Sequence, residues 1–283
     1  GSSLSDAAIG FNYYNVGSSG NSYIRNDPLI TVNGGILEIK SDWSTGSGNL
    51  FNQTMGNDSA NILINGGTLK FSTYQYANRG FNIGANGGTI IADSNYTKGS
   101  SGGAGAILKG INGGDLNLGG SGSGDITADG VLGSNGTWKS TSKLTKDGPG
   151  TWKIGGISLG GGITVNNGVL IITGSSITSG DIIVSGGVLT GQKNNSFGTG
   201  QVKISGGQVN VASGFNNDVT LSGGTLNLGG NSSSSKITLT GGSILSGQNY
   251  SGNLTVGSGG GLDAGSNLKG NIDLQSGSSL FGN

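Results

Sequence analysis

The sequence predicts an all-β fold and, within that class, a parallel β-helix, in which the chain winds as a solenoid of short strands. A strand–Gly-Gly–strand unit recurs along most of the chain. Within each copy, apolar residues alternate with polar ones, which is the period of a strand with one buried face. In the C-terminal half the unit also recurs at a nearly constant spacing, as the successive coils of a solenoid require.

The copies form an irregular group followed by a regular one. The irregular copies are LITVNGGILEI (Leu29–Ile39), NILINGGTLKF (Asn61–Phe71), FNIGANGGTII (Phe81–Ile91) and ILKGINGGDLNL (Ile107–Leu118). The regular copies include IIVSGGVLT (Ile182–Thr190), VKISGGQVNV (Val202–Val211), VTLSGGTLNL (Val219–Leu228) and ITLTGGSIL (Ile237–Leu245).

The spacing of the turn glycines separates the two groups. In the irregular group they fall at unequal intervals, at Gly35, Gly67, Gly88 and Gly114. From Gly168 onwards they fall at nearly equal intervals, at Gly187, Gly207, Gly224, Gly242 and Gly260. We therefore expect coils of about 18 residues in the C-terminal half and longer, inserted coils in the N-terminal half.

An antiparallel meander shows the same alternation of apolar and polar residues. The constant period favours the solenoid, because each coil must return to the same position before it stacks on its neighbour. We interpret the irregular copies as looser versions of the regular unit. On that alignment Thr220, Thr238 and Thr255 share an outward position, with Thr164 and Thr31 equivalent further up. This column is interrupted at Ile183, Lys203 and Asp273.

Composition excludes several classes of function. The 283 residues include 63 Gly but only 2 Pro, and the glycines fall at fixed offsets from Val, Ile and Leu rather than in runs. Neither Cys nor His is present, so triads that contain His or Cys and His-based metal sites are excluded. The 14 basic residues balance the 14 acidic ones without forming a run, so we expect no nucleic-acid binding. No apolar stretch has the length of about 20 residues that spans a bilayer.

One stretch, LTKDGPGTWKIGG followed by GGITVNNGVLIITG, organises the chain from Leu144 to Gly174. We predict a tight turn at Asp147–Gly150 that opens a strand over Thr151–Ile154. Two further strands are predicted at Ile163–Val165 and Val169–Ile172, with a turn at Asn166–Gly168 between them. The glycines of these turns allow sharp reversals of the chain.

This stretch resembles the passenger-associated repeat of bacterial autotransporters. The residues that match its first half are Leu144, Lys146, Gly148, Gly150, Thr151, Trp152, Ile154 and Gly155, and those that match its second half are Gly162, Val165, Gly168 and Leu170. The resemblance implies a right-handed parallel β-helix, export through an outer-membrane translocator and display at a bacterial surface. The C-terminal β-barrel of that family is not in this sequence, so the chain is expected to be a fragment or a released passenger.

We divide the chain into three segments. Residues 1–28 carry no clear repeat and are expected to form an N-terminal cap or leading segment, because the end of a solenoid exposes unpaired strands. Residues 29–143 form the irregular coils with loop insertions, and residues 144–283 form the regular coils. At the other end, Leu280 and Phe281 are expected to lie in a coil without a polar cap.

Aromatic residues are concentrated before residue 100, many of them in the insertions. Aromatic side chains on loops above a rigid scaffold are a common means of contacting sugars or protein partners. We therefore predict a ligand or partner contact around Trp43, Tyr74, Tyr76 and Arg79. The alternative is that these aromatic residues cover the cap and fill the coils. No catalytic, cofactor-binding or metal-binding residue is predicted.

The leading hypothesis is an extracellular, non-enzymatic bacterial surface β-helix, an adhesin or passenger that mediates adhesion or self-association. Its partners would be other copies of itself, or a glycan or protein on a host or other surface. One alternative is the structural subunit of an extracellular filament that stacks end to end. Another is a β-helix that binds or degrades polysaccharide, such as a tail spike.

Overall fold

The computed structural model describes most of the chain. The described residues are 9–11, 30–39, 62–72, 75–77, 81–93, 106–108, 111–132, 141–176, 178–212, 214–229, 236–246, 250–263 and 269–281. Three of the four residues of the predicted contact site, Trp43, Tyr74 and Arg79, lie outside them. The regular structure of the described chain consists of β-strands.

Most of the strands are short. The first twelve are β1 (Ile9–Phe11), β2 (Ile30–Val32), β3 (Ile36–Ile39), β4 (Ile62–Ile64), β5 (Thr68–Phe71), β6 (Gln75–Ala77), β7 (Phe81–Ile83), β8 (Gly88–Ala92), β9 (Ala106–Leu108), β10 (Ile111–Gly113), β11 (Leu116–Gly119) and β12 (Ser123–Leu132). The next eight are β13 (Leu144–Lys146), β14 (Thr151–Ile157), β15 (Ile163–Val165), β16 (Val169–Ile172), β17 (Ile182–Val184), β18 (Val188–Gly191), β19 (Val202–Ile204) and β20 (Gln208–Val211). The last eight are β21 (Val219–Leu221), β22 (Thr225–Leu228), β23 (Lys236–Leu239), β24 (Ser243–Ser246), β25 (Asn253–Val256), β26 (Gly261–Asp263), β27 (Ile272–Leu274) and β28 (Ser279–Phe281).

These strands stack into three sheets. The short sheet has five described strands, in the order β1-β2-β4-β7-β10. The central sheet has twelve, β27-β25-β23-β21-β19-β17-β15-β13-β11-β8-β5-β3. The third sheet has eleven, β28-β26-β24-β22-β20-β18-β16-β14-β12-β9-β6. From β2 onwards, strands that neighbour each other in a sheet belong to successive coils and pair in parallel, so the predicted parallel β-solenoid is confirmed.

The predicted difference in coil length between the two halves is also confirmed. From β13 onwards, nearly equal intervals of about 18 residues separate the register partners in the central sheet. These partners are Leu144, Ile163, Ile182, Val202, Val219, Ile237, Leu254 and Ile272. Upstream the intervals are longer and unequal, with the partners Leu37, Leu69, Ile90, Leu118 and Lys146. The longer coils include a strand in the short sheet, whereas the described coils from β13 onwards pass that side of the solenoid without one.

The glycine-pair unit changes its place in the coil, which corrects the interpretation of the upstream copies. In the copy at Leu29–Ile39 the glycines join β2 of the short sheet to β3 of the central sheet, a position we call the first corner. In the copy at Ile182–Thr190 they join β17 of the central sheet to β18 of the third sheet, the second corner. The upstream copies are therefore not looser versions of the downstream unit, because the same local pattern serves a different corner.

The core consists of ladders in which each apolar side chain packs on its equivalent in the next coil. In the third sheet, for example, Leu170, Leu189, Val209 and Leu226 occupy one buried column in register. Phe197 and Phe215 fill the side that has no strand, with their rings edge to face at 6.1 Å between centroids. Burial of these ladders supplies the main stabilisation of each coil against its neighbours.

The described parts of the two ends differ. Strand β1 pairs antiparallel with β2, so it covers the edge of the first parallel strand. In the last described coil the apolar side chains Ile272, Leu274 and Leu280 are 40%, 47% and 57% exposed. Their equivalents one coil earlier, Leu254, Val256 and Leu262, are buried.

Candidate interaction surface and interior polar sites

The predicted contact site is only partly placed. Tyr76 lies in β6 of the third sheet, next to β9. Trp43, Tyr74 and Arg79 are outside the described residues, so their grouping with Tyr76 stays a prediction.

The outer face of the central sheet carries a column of side chains, one from each coil, that we call the hydroxyl column. In register order it comprises Ile36, Thr68, Thr89, Asn117, Thr145, Thr164, Ile183, Lys203, Thr220, Thr238, Thr255 and Asp273. Seven of these twelve positions are Thr. The predicted equivalence of Thr164, Thr220, Thr238 and Thr255 is confirmed, as are the interruptions at Ile183, Lys203 and Asp273.

The predicted equivalence of Thr31 was wrong. Thr31 lies in β2 of the short sheet and is in register with Leu63 of β4. Thr68 and Thr89, which follow the glycine pairs rather than precede them, occupy the column instead. The error follows from the change of corner, because the upstream copies place their second strand, not their first, in the central sheet.

The hydroxyls of this column are available to a partner. The side chains of Thr68, Thr89, Thr145, Thr164 and Thr255 are half-buried. Among the described residues, the hydroxyls of the column accept one hydrogen bond in all. Gln201 Nε2 donates it to Thr220 Oγ1 at 3.2 Å. Because successive strands of a parallel sheet are about 4.8 Å apart, the threonines form three runs of hydroxyls at that spacing. These runs are Thr68 and Thr89, then Thr145 and Thr164, then Thr220, Thr238 and Thr255.

A charged cluster flanks the column near its N-terminal end. Lys70 Nζ lies 3.1 Å from Asp93 Oδ2 and 3.5 Å from Glu38 Oε1, so this cluster joins three successive coils. A hydrogen bond to Asp93 raises the pKa of Lys70, and the backbone N–H of Ser121 lowers the pKa of Asp93 by donating to its carboxylate at 3.0 Å. These groups are about 30% exposed, so the cluster contributes little to stability and mainly gives the face a charged margin.

Lys146 is a buried charge, which was not predicted from the sequence. It lies in the interior column of the central sheet, between Leu118 and Val165. Its Nζ donates to the carbonyl oxygens of Asp147 at 2.9 Å, Gly148 at 2.8 Å and Asn167 at 3.2 Å. Three acceptors match the three donors of an ammonium group. The sequence carried a signal that Lys146 is buried, because in the alternating pattern Lys146 occupies the same inward position as the apolar Val165 of the next coil.

Trp152, in β14, is the second interior polar side chain near the turn that joins β13 to β14. Its side chain is fully buried, and its Nε1 donates to the carbonyl oxygen of Gly119 at 3.0 Å. Gly124, its register partner in the preceding coil, leaves room for the indole. A Cβ at Gly124 would lie 2.3 Å from the Trp152 ring, so a larger residue at this position would have to displace it.

We expect the buried charge of Lys146 to make stability depend on pH in the alkaline range. Desolvation lowers the pKa of Lys146 to about 8, against an opposing effect of Asp147. Between this value and the ordinary value of 10.5, the unfolded chain binds more protons than the folded one, so stability rises with pH. From pH 7 to pH 9.5 the free energy of unfolding should rise by about 2 kcal/mol more in the wild type than in Lys146→Met. Urea titrations of both proteins at the two pH values measure this difference, and parallel pH profiles would contradict it.

The described residues hold no cluster of three or more acidic side chains suited to a metal ion. No helix in the described chain is long and apolar enough to cross a membrane. Comparison of the chain with family models, with curated proteins and with solved structures finds no match.

Proposed function

We propose that this chain is an extracellular, non-enzymatic β-solenoid displayed at a bacterial surface, where it adheres or self-associates through the hydroxyl column. The observation that carries the proposal is the column itself, in which seven of the twelve described positions along the longest sheet are half-buried threonines in register. The resemblance of Leu144–Gly174 to the passenger-associated repeat supports export through an outer-membrane translocator. The partner is another copy of the chain, or a glycan or protein on a host or other surface.

The chemistry of the column suits an extended polar contact. Each Thr presents a hydroxyl that donates and accepts, beside a methyl group that provides a small apolar contact. A single such contact is weak, and bridging waters occupy part of any interface of this kind. Repetition along a rigid sheet adds many weak contacts at a low cost in conformational entropy, because the strands are already ordered.

We expect Arg substitutions in the column to disrupt association. In the double variant Thr145→Arg, Thr220→Arg, two bulky charged side chains would stand above the face and hold a partner away from it. Self-association of the purified protein, measured by analytical ultracentrifugation, should fall at least about tenfold, since like charges that face each other at an interface cost several kcal/mol. Binding of labelled protein to bacterial cells should also fall, because the bulky side chains hold the partner away from the face.

The control is the double variant Thr151→Arg, Thr225→Arg, whose threonines lie in one half-buried column of the third sheet. It adds the same charge at comparable exposure and should associate like the wild type. Equal loss in both variants would contradict a role for the hydroxyl column. Release of shorter sugars from surface glycans would contradict the non-enzymatic proposal and favour a polysaccharide-degrading β-helix.

An alternative proposal is the subunit of a filament in which coils stack end to end. Ile272, Leu274 and Leu280 are partly exposed on the last described coil, where a further β-coil of this chain or of another copy would cover them. At the other end, however, β1 lies antiparallel against β2 and would have to move before a parallel coil could pair with β2. Electron microscopy separates the two functions, because a filament subunit forms continuous fibres and the proposed adhesin gives isolated rods or lateral pairs.

A further inference from the structure

Two interior side chains hydrogen-bond to three successive turns of the second corner. Trp152 Nε1 donates to Gly119, the last residue of β11, where the turn toward β12 begins. Lys146 Nζ donates to Asp147 and Gly148, in the turn that joins β13 to β14. The same Nζ donates to Asn167, in the turn that joins β15 to β16. We call Lys146 and Trp152 together the corner staple.

The corner staple lies where the solenoid changes its construction. The coil that contains β10 has a strand in the short sheet, and a long interval of chain separates its Leu116 from the register partner Leu144. The coil that begins at β13 has no described strand there, and a shorter interval separates its Leu144 from Ile163. Both interior columns are interrupted at this boundary, one by Gly124 beneath Trp152 and the other by Lys146.

The backbone couples these turns as it couples turns elsewhere in the solenoid. Asp147 N donates to Leu118 O at 2.8 Å and Gly150 N donates to Gly120 O at 2.9 Å. At the following turn, which joins β15 to β16, Asn166 N donates to Lys146 O at 3.0 Å. The equivalent backbone bonds in the coils further along have similar lengths. In a solenoid, cooperativity depends on the interface between neighbouring coils, so the weakest interface determines where the structure divides. Here the staple adds two bonds between coils, the charge-assisted bond from Lys146 to Asn167 and the buried indole bond from Trp152 to Gly119, while the bonds from Lys146 to Asp147 and Gly148 hold its ammonium within its own turn.

We propose that the corner staple couples the two kinds of coil, so that the coils of 62–132 and those of 163–246 open together. Without it the boundary opens first, and the two blocks unfold as separate units. The staple thus acts through the carbonyls of three turns rather than through its apolar contacts. Its effect is local to the boundary, which distinguishes it from a general contribution of buried side chains to stability.

Hydrogen exchange of the full-length chain, followed by mass spectrometry of its peptides, tests the coupling. Lys146→Met and Trp152→Phe remove the donors but keep a buried apolar side chain of similar length or shape. Lys153→Met is the matched control, because Lys153 lies in the same strand as Trp152 and is exposed. In the wild type and the control, peptides from 116–126 and 163–172 should exchange with the same protection.

In Lys146→Met we expect protection of the turns at 147–150 and 166–168 to fall at least about tenfold, while peptides from 202–246 keep theirs. Urea unfolding should then show two steps instead of one. Trp152→Phe is the milder change. It should lower the hydrogen-exchange protection of the turn at 119–122, by a smaller factor than Lys146→Met lowers that of its turns. A uniform loss of protection along the whole chain in either variant would overturn the proposal, as would a single unchanged transition in both.

Discussion

Replacement of Gly187 by Ala is expected to destabilise the protein by at least about 3 kcal/mol, because two effects add at this position. Gly187 has φ +65°, a conformation that costs an L-residue about 1–2 kcal/mol. A Cβ there would also lie 2.5 Å from the carbonyl oxygen of Gly168, in the backbone of the coil beneath. That oxygen belongs to a turn stacked on further turns, so it cannot move without disturbing them. Urea denaturation followed by circular dichroism measures the loss.

The matched control is Gly259→Ala, which separates conformational strain from crowding. Gly259 has φ +80°, but the nearest atom to its Cβ position is Thr240 O at 3.8 Å, an ordinary van der Waals distance. We expect a loss of about 1–2 kcal/mol in this variant. Equal losses in the two variants would show that φ alone, and not the close stacking of turns, requires glycine at the second corner.

Truncation of Trp152 to Ala is the second large effect, with an expected loss of about 3–5 kcal/mol. The indole is fully buried, and its lower neighbour in the column is Gly124, which has no side chain to fill the space. The carbonyl of Gly119 also loses its indole donor. The free energy of unfolding from urea titration gives the size of the effect, and a loss below about 1 kcal/mol would contradict the described packing.

A double-mutant cycle with Gly124 tests the same contact from the other side. Gly124→Ala places a Cβ 2.3 Å from the indole and should destabilise the wild type by about 1–3 kcal/mol. In the Trp152→Ala background the obstruction is gone, so Gly124→Ala should be neutral or stabilising. Additive losses would mean that Gly124 is required for a reason other than the space that Trp152 occupies.

Local sequence patterns predicted much of the fold correctly. The bounds of Ile163–Val165 and Val169–Ile172 are confirmed, because alternation and turn glycines act between residues close together in the chain. The strand at Leu144–Lys146 was not predicted, and the one that begins at Thr151 extends to Ile157. Both differences involve pairing with strands of the preceding coil, which are distant in sequence and which local alternation does not report.

The candidate surface was predicted only in part. The downstream threonines align because each coil there has nearly the same length, so a constant period places them in register. The upstream members could not be aligned by spacing, since the coils there contain insertions and differ in length. The predicted contact around Trp43, Tyr74, Tyr76 and Arg79 rests on insertions of this kind and stays a prediction.

By itself the sequence determined the class of fold, the nearly constant coil length of the C-terminal half and which residues of its predicted strands face inward, because these follow from period-two alternation and repeated glycines. Only the tertiary structure decided at which corner each glycine pair turns, and hence that Thr68 rather than Thr31 joins the hydroxyl column. It also placed the Lys146 ammonium inside the solenoid, against the carbonyls of Asp147, Gly148 and Asn167. The physical reason is that a glycine turn bends the chain equally well at either corner, so that stacking against the neighbouring coils selects between them.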